Sequence, residues 1–255
     1  MKPPFPPLLY SALMFIGMLV MLEIGRRLAL RKQDSAHEGL STIEASVFAL
    51  FGLLIAFTFS GAATRFQEKR MLLAEEANAI RTAYLRVDLV THEHQPAVRQ
   101  LFRQYLTSRL ETYRKLPDMK AAEDEMERSM QLQNGIWANV IAAANVPRAP
   151  TSITFLLLPA LNQMFDIAAR RTMALHVHPP AIIYLLLFAL GLLCSVLAGF
   201  RLAHRPQRDW LHILAFVVFT TLVINTMLDV EYPRIGLIRL SEADQALVDL
   251  RESMR

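Results

Sequence analysis

Four stretches without a charged side chain constrain this sequence more than any other feature. They lie between Lys2 and Glu23, Glu44 and Arg65, Arg171 and Arg201, and Asp209 and Asp229. Each contains at least 19 residues. An apolar helix of about 20 residues crosses the roughly 30 Å hydrocarbon core of a bilayer. The pattern therefore predicts four transmembrane helices.

The spans divide the chain into four parts. We predict a transmembrane hairpin over residues 1–64, with spans at about 8–27 and 44–64, and a second hairpin over 176–229, with spans at about 179–201 and 210–229. A soluble helical bundle occupies residues 65–175, and residues 230–255 form a C-terminal tail. The predicted fold is all-α, with the bundle inserted between spans two and three.

The bundle is predicted from periodic apolar residues and from helix-end signals. Beyond Thr64 the apolar residues recur at helical spacing with charged residues between them, which is typical of helices with one packed face. Asp118 is a candidate helix cap, and Pro159 is expected to kink a helix. Ser41 and Glu44 match a capping box at the start of the second span.

Composition limits the classes of function. The chain is 53% hydrophobic and 20% charged, with a net charge of +4, which fits a protein that is partly in membrane and partly in water. The sequence lacks a basic stripe with interleaved aromatic residues, which would indicate nucleic-acid binding. Cys194 is the single cysteine, so no internal disulfide can form. No cofactor is expected, and the partners expected are the lipid bilayer and small ions.

Aromatic and aliphatic side chains recur every fourth residue in the second span, at Phe51, Ile55 and Phe59. Such a stripe can pack in a core or face lipid. It can also face a pore, where bulky apolar side chains form a constriction that controls wetting. Both interpretations stay open from the residues alone.

A dense set of charges follows the second span. Its members are candidates for the wall of a vestibule, and the alternative is an ordinary solvated helix face. Glu75 and Glu76 stand too far from Arg81 to pair with it along one helix, so their partners are expected on other helices or other subunits. The candidates are Arg65, Lys69, Glu75, Glu76 and Arg81.

The fourth span ends in two carboxylates and an arginine, Asp229, Glu231 and Arg234. They form either a helix terminus or a clasp that holds the tail or a neighbouring subunit. The pairs His92/His94 and His176/His178 could each supply two metal ligands, but no third ligand completes a known spacing, so we predict no metal site. The common nucleophile, phosphate-binding and dinucleotide motifs do not occur, and we predict neither catalytic residues nor an enzyme.

Four segments carry a family resemblance: LLIAFTFSGAATRFQEKR (53–70), EEANAIRTAYLRVDL (75–89), ALNQMFDIAARR (160–171) and LDVEYPRIGLIRL (228–240). In these segments the chain resembles a bacterial membrane family of unknown function that has a bestrophin-like domain. It is similar, more loosely, to bestrophin ion channels, through a span that runs into Arg-Phe-x-Glu and through Leu-Pro-x-Leu-Asn at residues 158–162.

The resemblance implies a homopentameric ion channel of the bacterial inner membrane. It implies that both termini and the helical bundle lie in the cytoplasm and that span two lines the pore. The neck of the pore would then consist of Phe51, Ile55 and Phe59. The proline of the bestrophin neck and the acidic cluster of the bestrophin calcium clasp are absent. Basic residues near the spans do not decide the orientation, because the two sides carry similar numbers. The alternative function is a non-conducting membrane scaffold or sensor whose helical domain binds a protein partner.

Overall fold

The structure is a computed structural model that describes residues 7–31, 38–115, 118–147, 149–203, 209–233 and 241–254. No strand occurs within these residues, and the all-α prediction is confirmed. A 3-10 turn, Arg86–Leu89, and a π-helical turn, Ile153–Leu157, accompany the α-helices. The α-helices described are α1 (Pro7–Arg31), α2 (Glu38–Leu85), α3 (Gln95–Arg114), α4 (Met119–Ala144), α5 (Leu158–Ala174), α6 (Ala181–Leu202), α7 (Trp210–Glu231) and α8 (Ser241–Ser253).

Helices α1, α2, α6 and α7 are each long and apolar enough to cross a membrane. Each covers most of one charge-free stretch of the sequence, so the prediction of four helices of membrane-spanning length is confirmed. Helix α2 has 48 residues, which corresponds to about 72 Å at 1.5 Å per residue. Only its first half is continuously apolar, and the helix runs on beyond Thr64 as expected.

The capping-box prediction at Ser41 is wrong. Helix α2 begins at Glu38, three residues earlier, so Ser41 already lies within the helix and cannot cap its first turn. The prediction for Asp118 is correct: its Oδ1 accepts a hydrogen bond from the Ala121 backbone N–H at 3.1 Å, at the start of α4.

The chain divides into two compact units. The first comprises Met1–Phe66 and His178–Ile238, and the second comprises Gln67–Val177 and Arg239–Arg255. We call them the membrane unit and the helical unit. Helix α8 belongs to the helical unit, whereas the sequence predicts residues 230–255 as a C-terminal tail. Leu247 and Leu250 are buried there in one core with residues of α3 and α4, which accounts for the assignment.

In the membrane unit, α1 packs closely against α6 through two glycines. A Cβ at Gly199 would lie 1.9 Å from the carbonyl oxygen of Leu22, and a Cβ at Gly25 would lie 2.0 Å from that of Val196. Any larger residue at either position would push the two backbones apart. Small residues at such contacts let membrane helices associate by close packing.

The helical unit has a continuous apolar core that includes Phe102, Tyr105, Ile136, Val140 and Leu161. Tyr105 and Phe102 come from α3, and Ile136 and Val140 from α4, at the spacing of three and four that the sequence predicts. The π-helical turn comes immediately before Leu158-Pro159. Proline has no backbone N–H to donate to the preceding turn, which accounts for a widened turn at this point.

Candidate functional site

The second span is the least enclosed of the four. Only 11% of the most apolar 18 residues of α2 are buried within the protein, against 28% for α1, 22% for α6 and 39% for α7. A helix with so little covering inside the chain must be covered by lipid or by other protein. The composition of its exposed surface distinguishes between these coverings.

The exposed surface of span two has a face of small residues and a face of large ones. Leu50, Leu53 and Phe57 form the large face, and such side chains are suited to lipid. A Cβ added to Gly52, on the small face, would meet no atom within 4 Å. Small faces of this kind are enriched where membrane helices meet one another. The small face consists of Ala45, Ala49, Gly52, Ala56 and Ser60.

The three neck candidates do not share one exposure. Phe51 is 4% exposed and belongs to the core of the membrane unit, Ile55 is partly buried, and Phe59 is 39% exposed. A step of four residues turns about 40° beyond one full helical turn, so the stripe rotates from the core to the surface along its length. In this structure Phe51 packs inside the protein, and Phe59 is the neck candidate on the surface.

Ion pairs hold span two at both ends. Arg201 Nε on α6 donates to Glu44 Oε2 at 2.5 Å, and Arg65 pairs with Glu231 on α7. Glu44 and Arg65 are 21 positions apart, about 30 Å along a helix, which matches the hydrocarbon thickness. Between these pairs the span contacts its own chain mainly through bulky side chains such as Phe48, whose ring lies 5.9 Å from that of Phe216.

The pair at the end of span two includes a third residue, His178, which the sequence indicates only as half of a candidate pair of metal ligands. Arg65 Nε donates to both oxygens of Glu231, at 3.2 and 3.0 Å, and its Nη2 donates to Oε2 at 2.8 Å. His178 Nδ1 lies 2.9 Å from Oε1 of the same carboxylate. Glu231 is fully buried, so the bonds to Arg65 replace the water it has lost. His178 precedes two prolines at the start of α6.

Of the clasp candidates, the structure places Glu231 in this ion pair and Asp229 in a buried position nearby on α7. Arg234 lies outside the described residues. Glu231 therefore bonds to Arg65, where the membrane half of α2 ends, and to His178, just before α6, within the membrane unit.

The vestibule candidates that follow Arg65 belong to the helical unit and differ in exposure. Arg81 is exposed and Glu75 is partly exposed, whereas Lys69 and Glu76 are buried. Glu75 lies 3.9 Å from Arg170, a long and mostly solvated pair. A solvated face is thus the wrong description for Glu76.

Glu76 lies at the centre of a buried charge cluster. Arg109 Nε on α3 donates to its Oε1 at 2.6 Å, and Arg171 Nη1 on α5 donates to its Oε2. Arg109 Nη2 also donates to the Tyr113 hydroxyl at 3.0 Å, and the Arg171 guanidinium lies 3.8 Å from the Tyr113 ring centre. The expectation that the partners of Glu76 lie on other helices is confirmed.

The charges in this cluster stabilise one another. Burial alone would raise the pKa of Glu76, but the positive charges of Arg109 and Arg171 outweigh burial and lower it. Burial alone would lower the pKa of Arg109, and the charge of Glu76 raises it instead. Burial also raises the pKa of the neighbouring Tyr105 to about 12, so that phenol stays neutral. The cluster ties α2, α3 and α5 together.

Arg109 and Arg171 could have been found from the sequence. Arg109 follows Tyr105 by four positions and precedes Tyr113 by four, so it lies on the apolar stripe of α3. Arg171 follows Ile167 by four positions on the stripe of α5. A charged residue on a buried stripe requires a partner of opposite charge, since an unpaired buried charge is very costly.

An open polar groove of about 810 Å³ lies between α2 and α5 in the helical unit. Its floor is apolar, with Ala79 and Ile167. Pro159 and Asn162, from the segment that resembles the bestrophin pattern, line it. The polar walls are formed by Glu75, Asn78, Thr82, Asn162, Gln163, Asp166 and Arg170.

The histidine pairs do not assemble a metal site within the described residues. No group of three His, Cys, Asp or Glu side chains there is placed to hold an ion. His94 Nδ1 lies 3.0 Å from the Thr91 hydroxyl, and His176 Nδ1 lies 3.1 Å from the Thr172 carbonyl oxygen. These contacts are local to helix ends.

Four membrane-length apolar helices and a separate helical unit define a multi-pass α-helical membrane protein. The sequence model of one family, the Bestrophin-like domain, matches residues 8–244. The chain therefore belongs to the Bestrophin-like domain family. Searches of curated proteins and of solved structures each found no match.

Proposed function

We propose that this protein forms an oligomeric ion channel, in which the second span of each copy lines the pore. The assembly is a homopentamer in a bacterial inner membrane, and it passes small ions. Membership of the Bestrophin-like domain family supports this function through the resemblance to bestrophin channels. The neck consists of Phe59, with Ile55 one turn before it.

The observation that carries the proposal is the small and uncovered face of span two. A helix that lines a pore has to pack against its own copies, and small residues allow that approach. The other three spans present large exposed side chains such as Leu13, Leu185 and Leu211, which are suited to lipid. Span two is the span in which a small face stays exposed, with Phe59 beside it.

Exchange of one phenylalanine tests the neck. Phe59 and Phe57 are two residues apart, so their side chains point in directions about 160° apart on α2. Phe59→Ala should raise the single-channel conductance in planar bilayers, because it widens an apolar constriction. Phe57→Ala is the matched control, since Phe57 lies on the large face, and it should leave the conductance unchanged.

An unchanged conductance in Phe59→Ala, with currents present, would remove Phe59 from the pore. Equal changes in both variants would show that the effect is not specific to the neck. Purified parent protein that carries no current would count against the channel and favour the scaffold or sensor.

The polar groove of the helical unit favours that second function. A groove with an apolar floor and hydrogen-bonding walls can bind a partner segment. In a channel, its Glu75 and the exposed Arg81 are instead the candidates for the vestibule charges that attract ions. The number of chains in the assembly distinguishes the two functions.

A further inference from the structure

The polar groove of the helical unit has unused hydrogen-bonding capacity. Thr64 on α2 and Thr172 on α5 each donate a hydrogen bond to the carbonyl oxygen four residues earlier, at 3.0 Å. Thr82, which lines the groove on α2, forms no such bond within the described residues. The same holds for every other uncharged polar side chain of the groove in the part of the chain that the structure describes: Asn78, Asn162 and Gln163.

The groove also carries both signs of charge. Glu75 on α2 lines it together with Asp166 and Arg170 on α5. Arg170 Nη1 lies 3.9 Å from Glu75 Oε2, too far for a hydrogen bond, and the Arg170 side chain is 65% exposed. No residue in the described ranges forms an ion pair with Asp166. The guanidinium and both carboxylates are therefore accessible to a ligand.

These charges distinguish between classes of ligand. Carboxylates are ordinarily ionised and arginine is positive at pH 7, so the groove presents two negative charges and one positive charge. An anion without an ammonium group would meet Glu75 and Asp166, and a cation without a carboxylate would meet Arg170. A ligand that has both groups can place its carboxylate on the guanidinium, which offers two parallel donors, and its ammonium on the acidic side chains.

We propose that this groove binds a small zwitterionic solute, a free α-amino acid with a polar side chain. Its volume of about 810 Å³ lies in the range of small-molecule sites, roughly 300–1,000 Å³. The amides of Asn78, Asn162 and Gln163 offer donors and acceptors to the polar end of the ligand side chain. Ala79 and Ile167, on the apolar floor, pack against its methylene groups.

Isothermal titration calorimetry tests the site, with L-glutamine as the probe and the full chain in lipid nanodiscs at pH 7. L-glutamine carries both charges and a carboxamide that complements the amide walls, and it should bind saturably. N-acetyl-L-glutamine lacks the ammonium and L-glutamine methyl ester lacks the carboxylate. Each should bind about tenfold more weakly, because each loses one charge-assisted contact. Calorimetry does not depend on conduction, so this proposal and the channel can fail separately.

Two arginine variants complete the test. Arg170→Gln removes the positive charge that binds the ligand carboxylate, so the affinity for L-glutamine should fall about tenfold. Arg114→Gln is the matched control, because Arg114 is 54% exposed, pairs with Glu111 and lies on α3, outside the groove. This variant should bind L-glutamine like the parent.

Three results would overturn the proposal. The first is the absence of saturable L-glutamine binding to the parent, and the second is an unchanged affinity in Arg170→Gln. The third is equally tight binding of N-acetyl-L-glutamine N-methylamide, which has neither end charge and resembles a residue inside a polypeptide. That result would show that the groove recognises a segment of a protein partner, as the scaffold or sensor requires.

Discussion

Glu76 is the residue whose charge matters most to the helical unit. It is fully buried, and its two oxygens accept hydrogen bonds from arginines on α3 and α5. Removal of one member of a buried ion pair leaves the others uncompensated, which costs about 3–5 kcal/mol. The neighbouring Glu75 is about half exposed to solvent, and its partner Arg170 is as far away as 3.9 Å. This pair therefore contributes little to stability.

Glu76→Gln should therefore lower the free energy of unfolding of the helical unit by about 3–5 kcal/mol. Glu75→Gln, the matched control, should change it by less than about 1 kcal/mol. Denaturant unfolding followed by circular dichroism in mild detergent measures both. Equal effects in the two variants would contradict the assigned role.

The contribution of Glu76 to the free energy of unfolding depends on pH and decreases in acid. Because the folded pKa of Glu76 is lower than that of the unfolded chain, its contribution is complete above an unfolded pKa of about 4.3. It is lost as the pH falls through the folded pKa. Glu76→Gln should lack this part of the acid destabilisation of the parent protein.

At this scale the sequence predicts some roles and not others. The spacing of Glu76 from Arg81 already indicates partners on other helices, and the structure confirms this. The part of His178 could not be predicted, because its partner Glu231 is 53 residues away and is brought near only by the packing of α6 and α7. Phe51, Ile55 and Phe59 form a stripe in the sequence, but which members are exposed depends on where the other spans pack.

Helix α2 is the element on which the proposed assembly depends. Its membrane half has ion pairs at both ends and a small face that its own chain leaves exposed. If copies of the chain meet along this face, a large side chain there should separate them. The same change on the large face, toward lipid, should be tolerated.

Gly52→Leu should therefore reduce the number of chains in the assembly, with little effect on the protomer, because a Cβ at Gly52 meets no atom of its own chain. Leu50→Phe adds bulk on the large face, about 160° around the helix from Gly52, and is the control. Native mass measurement in mild detergent counts the chains, and we expect five for the parent and for the control. A parent monomer or dimer would leave no central pore and would favour the scaffold. A pentamer that survives Gly52→Leu would place the contact elsewhere.

The limits of the element predictions have a physical origin. Span lengths follow from charge-free runs and are reliable, since bilayer thickness fixes them. The start of α2 is misplaced because Ser41 and Glu44 match a cap in sequence, while the helix simply extends backward to Glu38. Helix α8 could be predicted as a helix, but its packing with the helical unit depends on long-range contacts that periodicity does not encode.

At the scale of the whole molecule, the proposed channel requires one orientation in the membrane. We propose that both termini and the helical unit lie in the cytoplasm, as the resemblance to bestrophins implies. Cysteines introduced into the two short loops between spans should then react with an impermeant thiol reagent added outside the cell membrane. If both loops are protected from reagent added outside and react with reagent added inside, the orientation is the reverse of the one proposed.

The contact between α1 and α6 has a consequence for how the protein is made. Gly25 lies against the Val196 backbone and Gly199 against the Leu22 backbone, yet 174 positions separate the two glycines in the sequence. At a synthesis rate of about 5–20 residues per second, α1 waits roughly 10–30 s in the bilayer before α6 emerges. By the time α6 emerges, all of the helical unit except α8 has been synthesised. The contact between α1 and α6 therefore forms only after these residues of the helical unit have been synthesised, and a chain interrupted before α6 lacks the backbone that Gly25 contacts.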